Sequence, residues 1–267
     1  MKKVIALTWF LLFLSSGCGE APVIATSQPP AETGTPPIFT ATLVSTVTGI
    51  PTVPAAQIAP ARDLSDYAFP NSIDTTKRYI FYLHGKIIED QGIPAISPEY
   101  GEYEYEAILE RLREFGFVVI SEQRPKNTDG VKDARKIAEQ VATLLDAGVP
   151  AKNITVVGAS KGAGIAVYVS HFLENEEVNF VIMAICHPDQ VAAFKQEQIF
   201  LYGNILSIYD SADEFAGSCQ DLFSFSVGKG ISKHEEVVLS IGTGHGILYQ
   251  PLDEWIIPTV QWAEKPW

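Results

Sequence analysis

A serine flanked by glycines, Gly158-Ala159-Ser160-Lys161-Gly162, stands where an apolar run ends and a helix-forming segment begins. A hydroxyl alone is a poor nucleophile. It becomes a good one when a turn lifts it clear of its neighbours and a base takes its proton. The need for glycine is steric, because side chains two residues away would collide in so tight a turn. The helix that follows then aims the positive end of its dipole at the hydroxyl. The competing reading is a strand-to-helix turn without chemistry, or one that cradles a phosphate, but no Gly-Lys-Ser/Thr signature accompanies it.

A proton acceptor must come from one of five histidines. His245 lies among glycines, in Gly242-Thr243-Gly244-His245-Gly246, between the last apolar run and the last helical segment. The others are poorer candidates. His171 falls inside a helical pattern, His234 precedes its strand, and His187 follows a middle strand and would at most line a pocket. His84 closes a buried strand, which favours a structural role over a catalytic one. An acid to orient the imidazole has three candidates, Asp210, Asp213 and Glu214, after the run Ile205–Tyr209. Aspartates there also suit plain turn chemistry, bonding nearby backbone N–H groups.

The elements that must position these groups are legible as alternating patterns. Apolar runs rich in β-branched and aromatic residues occupy Arg78–Leu83, Phe117–Ile120, Ile154–Val157, Phe180–Ile185, Ile205–Tyr209 and Val237–Ile241. Their near-continuous hydrophobicity suits strands covered on both faces. Helical patterns lie near Tyr103–Phe115, Gly130–Leu145, Lys161–Leu173 and Asp253–Ala263. Strand and helix alternating in this way predict an α/β fold: a mostly parallel, doubly wound sheet with helices on both faces. The segment between Cys186 and Asn204 is too short for a large cap domain, so the site is expected to be open.

With a Gly-x-Ser-x-Gly elbow after a buried strand and a histidine after the last one, residues 63–267 resemble the α/β-hydrolases. The resemblance implies a nucleophile, acid and histidine in that chain order, and it favours Asp213 over Asp210, with Glu214 a distant third. It also implies an oxyanion hole built from two backbone N–H groups, those of Lys161 and of Lys86 in the segment Leu83-His84-Gly85-Lys86. If either lysine ammonium faces the cleft, an anionic or carbonyl-rich substrate would be favoured; the plainer expectation is two solvated lysines. The loop Ile87–Glu99, with Pro94 and Pro98, is expected to border the pocket, and Tyr100, Tyr103 and Tyr105 to be half-buried helix packing. The implied activity is hydrolysis of a carboxylic ester or related acyl compound through an acyl-enzyme on Ser160. A peptidase or deacylase of the same fold is an alternative, as is a lipoprotein that uses the cleft only for binding. No cofactor or metal is expected, since the histidines and cysteines lack paired ligand spacing.

The first residues have a separate logic. Lys2 and Lys3 precede an apolar run from Val4 to Leu14, then Ser15-Ser16-Gly17-Cys18. That is shorter than the roughly 20 apolar residues of a spanning helix and reads as an export signal over 1–18. Its end resembles a bacterial lipobox with Cys18 as the lipidated residue, although Ser15 stands where leucine is usual. Residues 19–62, rich in Pro, Thr, Ala and Ser, read as an extended stalk. The expected setting is thus extracytoplasmic, with the membrane reached through a lipid. A formal charge of -13 argues against a nucleic-acid partner. Export would allow Cys186 and Cys219 to pair, but two separate buried thiols are the favoured expectation.

Overall fold

The structure, a computed structural model, describes residues 64–267. The expected export signal, Cys18 and the expected stalk lie outside the described residues. The central sheet contains β1 (Tyr79–Leu83), β4 (Val118–Ile120), β5 (Ile154–Ala159), β6 (Asn179–Met183), β7 (Gly203–Asp210) and β8 (Ile231–Leu239). Their order is β4-β1-β5-β6-β7-β8, and every pairing is parallel. A small antiparallel hairpin, β2 (Ala95–Ser97) with β3 (Gly101–Tyr103), sits apart from it.

Alternation along each strand divides the core into two layers. Tyr79, Phe81 and Leu83 face one side with Val156, Phe180 and Ile182. Ile80 and Tyr82 face the other with Val157, Val181 and Met183. The first layer is covered by α3 (Gly130–Asp146) and α4 (Lys161–Leu173), which bring Ile137, Val141, Ile165 and Val169. The second is covered by α2 (Tyr105–Glu114) and α7 (Asp253–Glu264), with Ile108, Leu112, Trp255 and Trp262. Burial on both faces is the reason those strands read as unbroken apolar runs. Asp129 caps α3, its carboxylate accepting the N–H groups of Val131 and Lys132.

Several elements depart from expectation. The segment after β1 is not a loop from residue 87 onward; it opens as α1 (Lys86–Gln91) and continues into the hairpin. Two further short helices, α5 (Pro188–Gln196) and α6 (Gln220–Ser226), were not anticipated. The last strand runs over Ile231–Leu239 rather than 237–241, so His234 lies within it. That strand is a sheet edge, largely exposed, and polar residues suffice there.

The cysteines also depart from expectation: Cys186 and Cys219 form a disulfide. Both follow adjacent strands, β6 and β7, whose ends point the same way, so the chains leaving them are neighbours. The Gly217 N–H donates to the Ile185 carbonyl in the same place. Closing a loop with a sequence separation of 33 stabilises by about 3–4 kcal/mol in the chain-entropy picture.

Candidate functional site

Parallel strands end at a common edge, and this edge collects the chemistry-bearing residues. Leu83 is paired with Gly158, and Gly158 with Ile182. The chain therefore emerges from β1 and β5 side by side, with β7 and β8 further along the same rim.

Ser160 is held at φ 53° and ψ -117°, a conformation that costs an ordinary residue free energy and persists only under constraint. The constraint comes from the glycines. A Cβ at Gly162 would lie 1.8 Å from the Leu83 carbonyl oxygen, and one at Gly158 would lie 2.4 Å from the Gly162 carbonyl oxygen. Both obstacles are backbone, so neither position can accept a side chain without moving a strand. The Ser160 N–H donates to the Met183 carbonyl at 3.0 Å, fastening the turn to the neighbouring strand.

The Ser160 hydroxyl and His245 Nε2 are 2.9 Å apart, and His245 Nδ1 is 2.8 Å from Asp213 Oδ2. The Asp213 side chain is fully buried, and its Oδ1 accepts the Phe215 N–H at 2.8 Å. With Asp213 ionised, Nδ1 carries the proton and Nε2 is left to accept from the serine. Such a chain can deliver a proton from the hydroxyl to the imidazole and stabilise the imidazolium that forms.

Asp210, the rival acid, does something else. It is completely buried, with Oδ1 accepting the Ala212 N–H at 2.8 Å and Oδ2 the Thr243 N–H at 3.2 Å. One carboxylate thus ties the turn carrying Asp213 to the turn carrying His245. Glu214 lines a cleft of about 260 Å³ beside His245, together with Glu99, Tyr100 and Phe215. The Phe215 ring meets the imidazole edge-on at 5.7 Å.

Lys86 and Lys161 are the first residues of α1 and α4. Backbone N–H groups at a helix start have no partner inside the helix and can bind an anion. Gly85 sits directly against the nucleophile: a Cβ there would be 3.7 Å from the Ser160 Cβ. The ammonium groups are both paired with carboxylates of α1. Lys86 bonds Asp90 and stays solvated, whereas Lys161, with a side chain 26% exposed, bonds Glu89 at 2.5 Å and the Thr128 carbonyl at 2.8 Å. The expectation of two solvated lysines therefore holds for Lys86 and fails for Lys161.

His84 is fully buried. Its Nε2 accepts the Arg124 backbone N–H at 2.9 Å, which puts the ring proton on Nδ1, and Nδ1–H donates to the Gly85 carbonyl at 2.8 Å. Burial first, and then the adjacent Arg124 guanidinium, hold its pKa down to about 3, so the ring is neutral at physiological pH. The guanidinium bonds the His84 carbonyl and, through Nε at 2.7 Å, Glu89 Oε1. Neither Glu89 nor Arg124 stands in a motif that marks it in the sequence.

Of the three tyrosines expected to be half-buried helix packing, Tyr100 is half-buried, in a turn, and Tyr105 belongs to α2. Tyr103 and Tyr105 are essentially inaccessible, and Tyr103 belongs to β3, its hydroxyl 2.7 Å from that of Tyr82. Tyr249, also unanticipated, packs on Tyr100 and Tyr103 at 5.2 and 5.1 Å. A Cβ at Gly246 would come within 2.9 Å of the Tyr100 ring, so the hairpin backs the histidine turn. His187 caps α5 by accepting the Asp189 N–H at 3.3 Å. His171 accepts the Phe200 N–H at 3.3 Å, and His234 packs on Phe223. None of these three contacts involves Ser160.

No family model and no curated protein matches the chain. Among solved structures, SOBER1 from Arabidopsis thaliana is 12% identical with a TM-score of 0.44, covering 69% of this chain and 99% of its own. MGS-M1, an alpha/beta hydrolase enzyme from a Medee basin deep-sea metagenome library, is 13% identical with a TM-score of 0.45 over 72% of this chain and 88% of its own. The lin2722 product of Listeria innocua is 11% identical with a TM-score of 0.46 over 71% and 94%. At such scores the fold and the site rest on this chain's own strand order and distances.

Proposed function

We propose that this chain is a serine hydrolase that cleaves a carboxylic ester, or a related acyl compound, through an acyl-enzyme on Ser160. The observation that carries the reading is the hydrogen-bonded relay from Ser160 through His245 to a buried Asp213, at 2.9 and 2.8 Å. A binding cleft has no need of a strained serine aligned with a base and an acid.

In the proposed reaction Ser160 Oγ attacks the carbonyl carbon while its proton passes to His245 Nε2. The carbonyl oxygen becomes an oxyanion, received by the N–H groups of Lys86 and Lys161. The bond to the leaving oxygen then breaks, and the imidazolium returns its proton to that oxygen. Water attacks the acyl-enzyme with the same base taking its proton, which releases the acid and restores the serine. Asp213 keeps its negative charge throughout and stabilises the imidazolium.

A fluorophosphonate probe tests this directly. The native protein should be labelled on Ser160, one equivalent per chain, and Ser160→Ala should remain unlabelled. A native protein that stays unlabelled beside a reactive control hydrolase would leave the cleft to binding alone.

Export and lipid anchoring through Cys18 belong to the same proposal. They are supported by the basic and apolar start of the chain and by the Cys186–Cys219 disulfide, a bond that persists in oxidising compartments. Full-length protein expressed in a bacterium should partition with membranes, and Cys18→Ser protein should not. Equal partition of the two would remove the anchor.

A further inference from the structure

We propose that Glu89 is a positioning residue for the reaction proposed above, a brace that sets the two oxyanion donors against each other; the inference rests on that reading. The donors belong to different helices, one following β1 and the other following β5. A chain segment as short as α1, six residues long, does not fix its own orientation. Something must hold it against α4, because a donor stabilises the developing charge only at hydrogen-bond distance.

Glu89 is the group so placed. Its side chain is 1% exposed although it lies one turn from the start of α1. Both carboxylate oxygens are engaged: Oε2 receives the Lys161 ammonium at 2.5 Å and Oε1 the Arg124 Nε–H at 2.7 Å. Lys161 thereby serves twice, offering its backbone N–H to the hole and its ammonium to the brace.

The other oxygen leads to the second donor. Arg124 holds His84 through a backbone N–H to Nε2 and a guanidinium bond to the His84 carbonyl. His84 Nδ1–H in turn holds the Gly85 carbonyl. That carbonyl and the Lys86 N–H share one planar trans peptide, so fixing the first aims the second the opposite way. One buried carboxylate is therefore linked to both donors, by one step on one side and three on the other.

The test uses the native protein, Glu89→Gln, Lys161→Met and the double variant, with active sites counted by fluorophosphonate titration. Lys161→Met keeps the backbone N–H and removes only the ammonium. It carries the test alone if Glu89→Gln does not fold. Each single variant should lower kcat per titrated site by about 10- to 100-fold, less than the loss of a whole donor, with KM within about threefold. Binding of a trifluoromethyl ketone, whose adduct places an oxyanion in the hole, should weaken in proportion to kcat. The double variant should be no worse than the poorer single one. A carboxylate that merely offsets the charge of Arg124 would instead reduce the yield of folded protein and leave kcat per titrated site unchanged. That result, or losses that simply multiply in the double variant, would overturn the brace. If the native protein itself fails to titrate at Ser160, the hydrolase reading fails and the brace falls with it. Normal native titration with undiminished variants removes the brace alone.

Discussion

Ser160→Ala should lower kcat on the order of 10⁶-fold, by comparison with serine hydrolases in which the nucleophile has been removed, and should leave the fold in place. The substitution deletes one oxygen whose hydrogen-bond partner in the structure is His245 Nε2. The contacts that hold the turn belong to the backbone: the Ser160 N–H to the Met183 carbonyl, and the Ser160 carbonyl receiving the N–H groups of Ala163 and Gly164. Alanine keeps all three. The glycines at 158 and 162 are untouched, so the close approach of α4 to β1 survives. Steady-state hydrolysis of an activated ester, with circular dichroism and a thermal melt on the same preparation, reads both halves of the expectation. A folded variant retaining more than about 1% of native kcat would take the nucleophile away from Ser160, since even loss of one oxyanion donor costs about 10²–10³.

The second large effect separates two aspartates three residues apart. Asp213→Asn should lower kcat by about 10⁴, because the amide no longer holds the imidazole in the tautomer that leaves Nε2 free to accept a proton. Asp210→Asn should leave kcat within about tenfold and act mainly on stability. Both Asp210 oxygens accept backbone N–H groups, from Ala212 and Thr243, and an amide can accept only one of them. Losing a hydrogen bond to a charged group costs roughly 1.5–3 kcal/mol, to be read from denaturant melts of the two variants. Equal or reversed losses in kcat would overturn Asp213 as the acid.

The pattern of what was legible in the sequence follows from burial. Strands β1, β4, β5, β6 and β7 of the central sheet were visible because both their faces are covered, so most of their side chains are apolar. The first half of β8 was invisible because an exposed edge tolerates Ser232, Lys233, His234, Glu235 and Glu236. The helix α5 carries a local start signal, Pro188 at its first position after His187 as cap. Ser160 and His245 stand out as candidates in the sequence because glycines mark turns that side chains cannot make. Asp213 needed a comparison of turn patterns, since spacing alone left Asp210 open. Glu89 and Arg124 left no local trace at all. They meet across 35 residues, and Glu89 meets Lys161 across 72, so only the assembled sheet brings them together.

The disulfide has a consequence for anyone handling the protein. Cys186 and Cys219 are 3% and 0% exposed, so a thiol reductant in solution cannot reach the sulfurs while the surrounding corner stays shut. Cleavage must wait for that corner to breathe. The speed of reduction then reports how readily the corner around Cys186 and Cys219 opens.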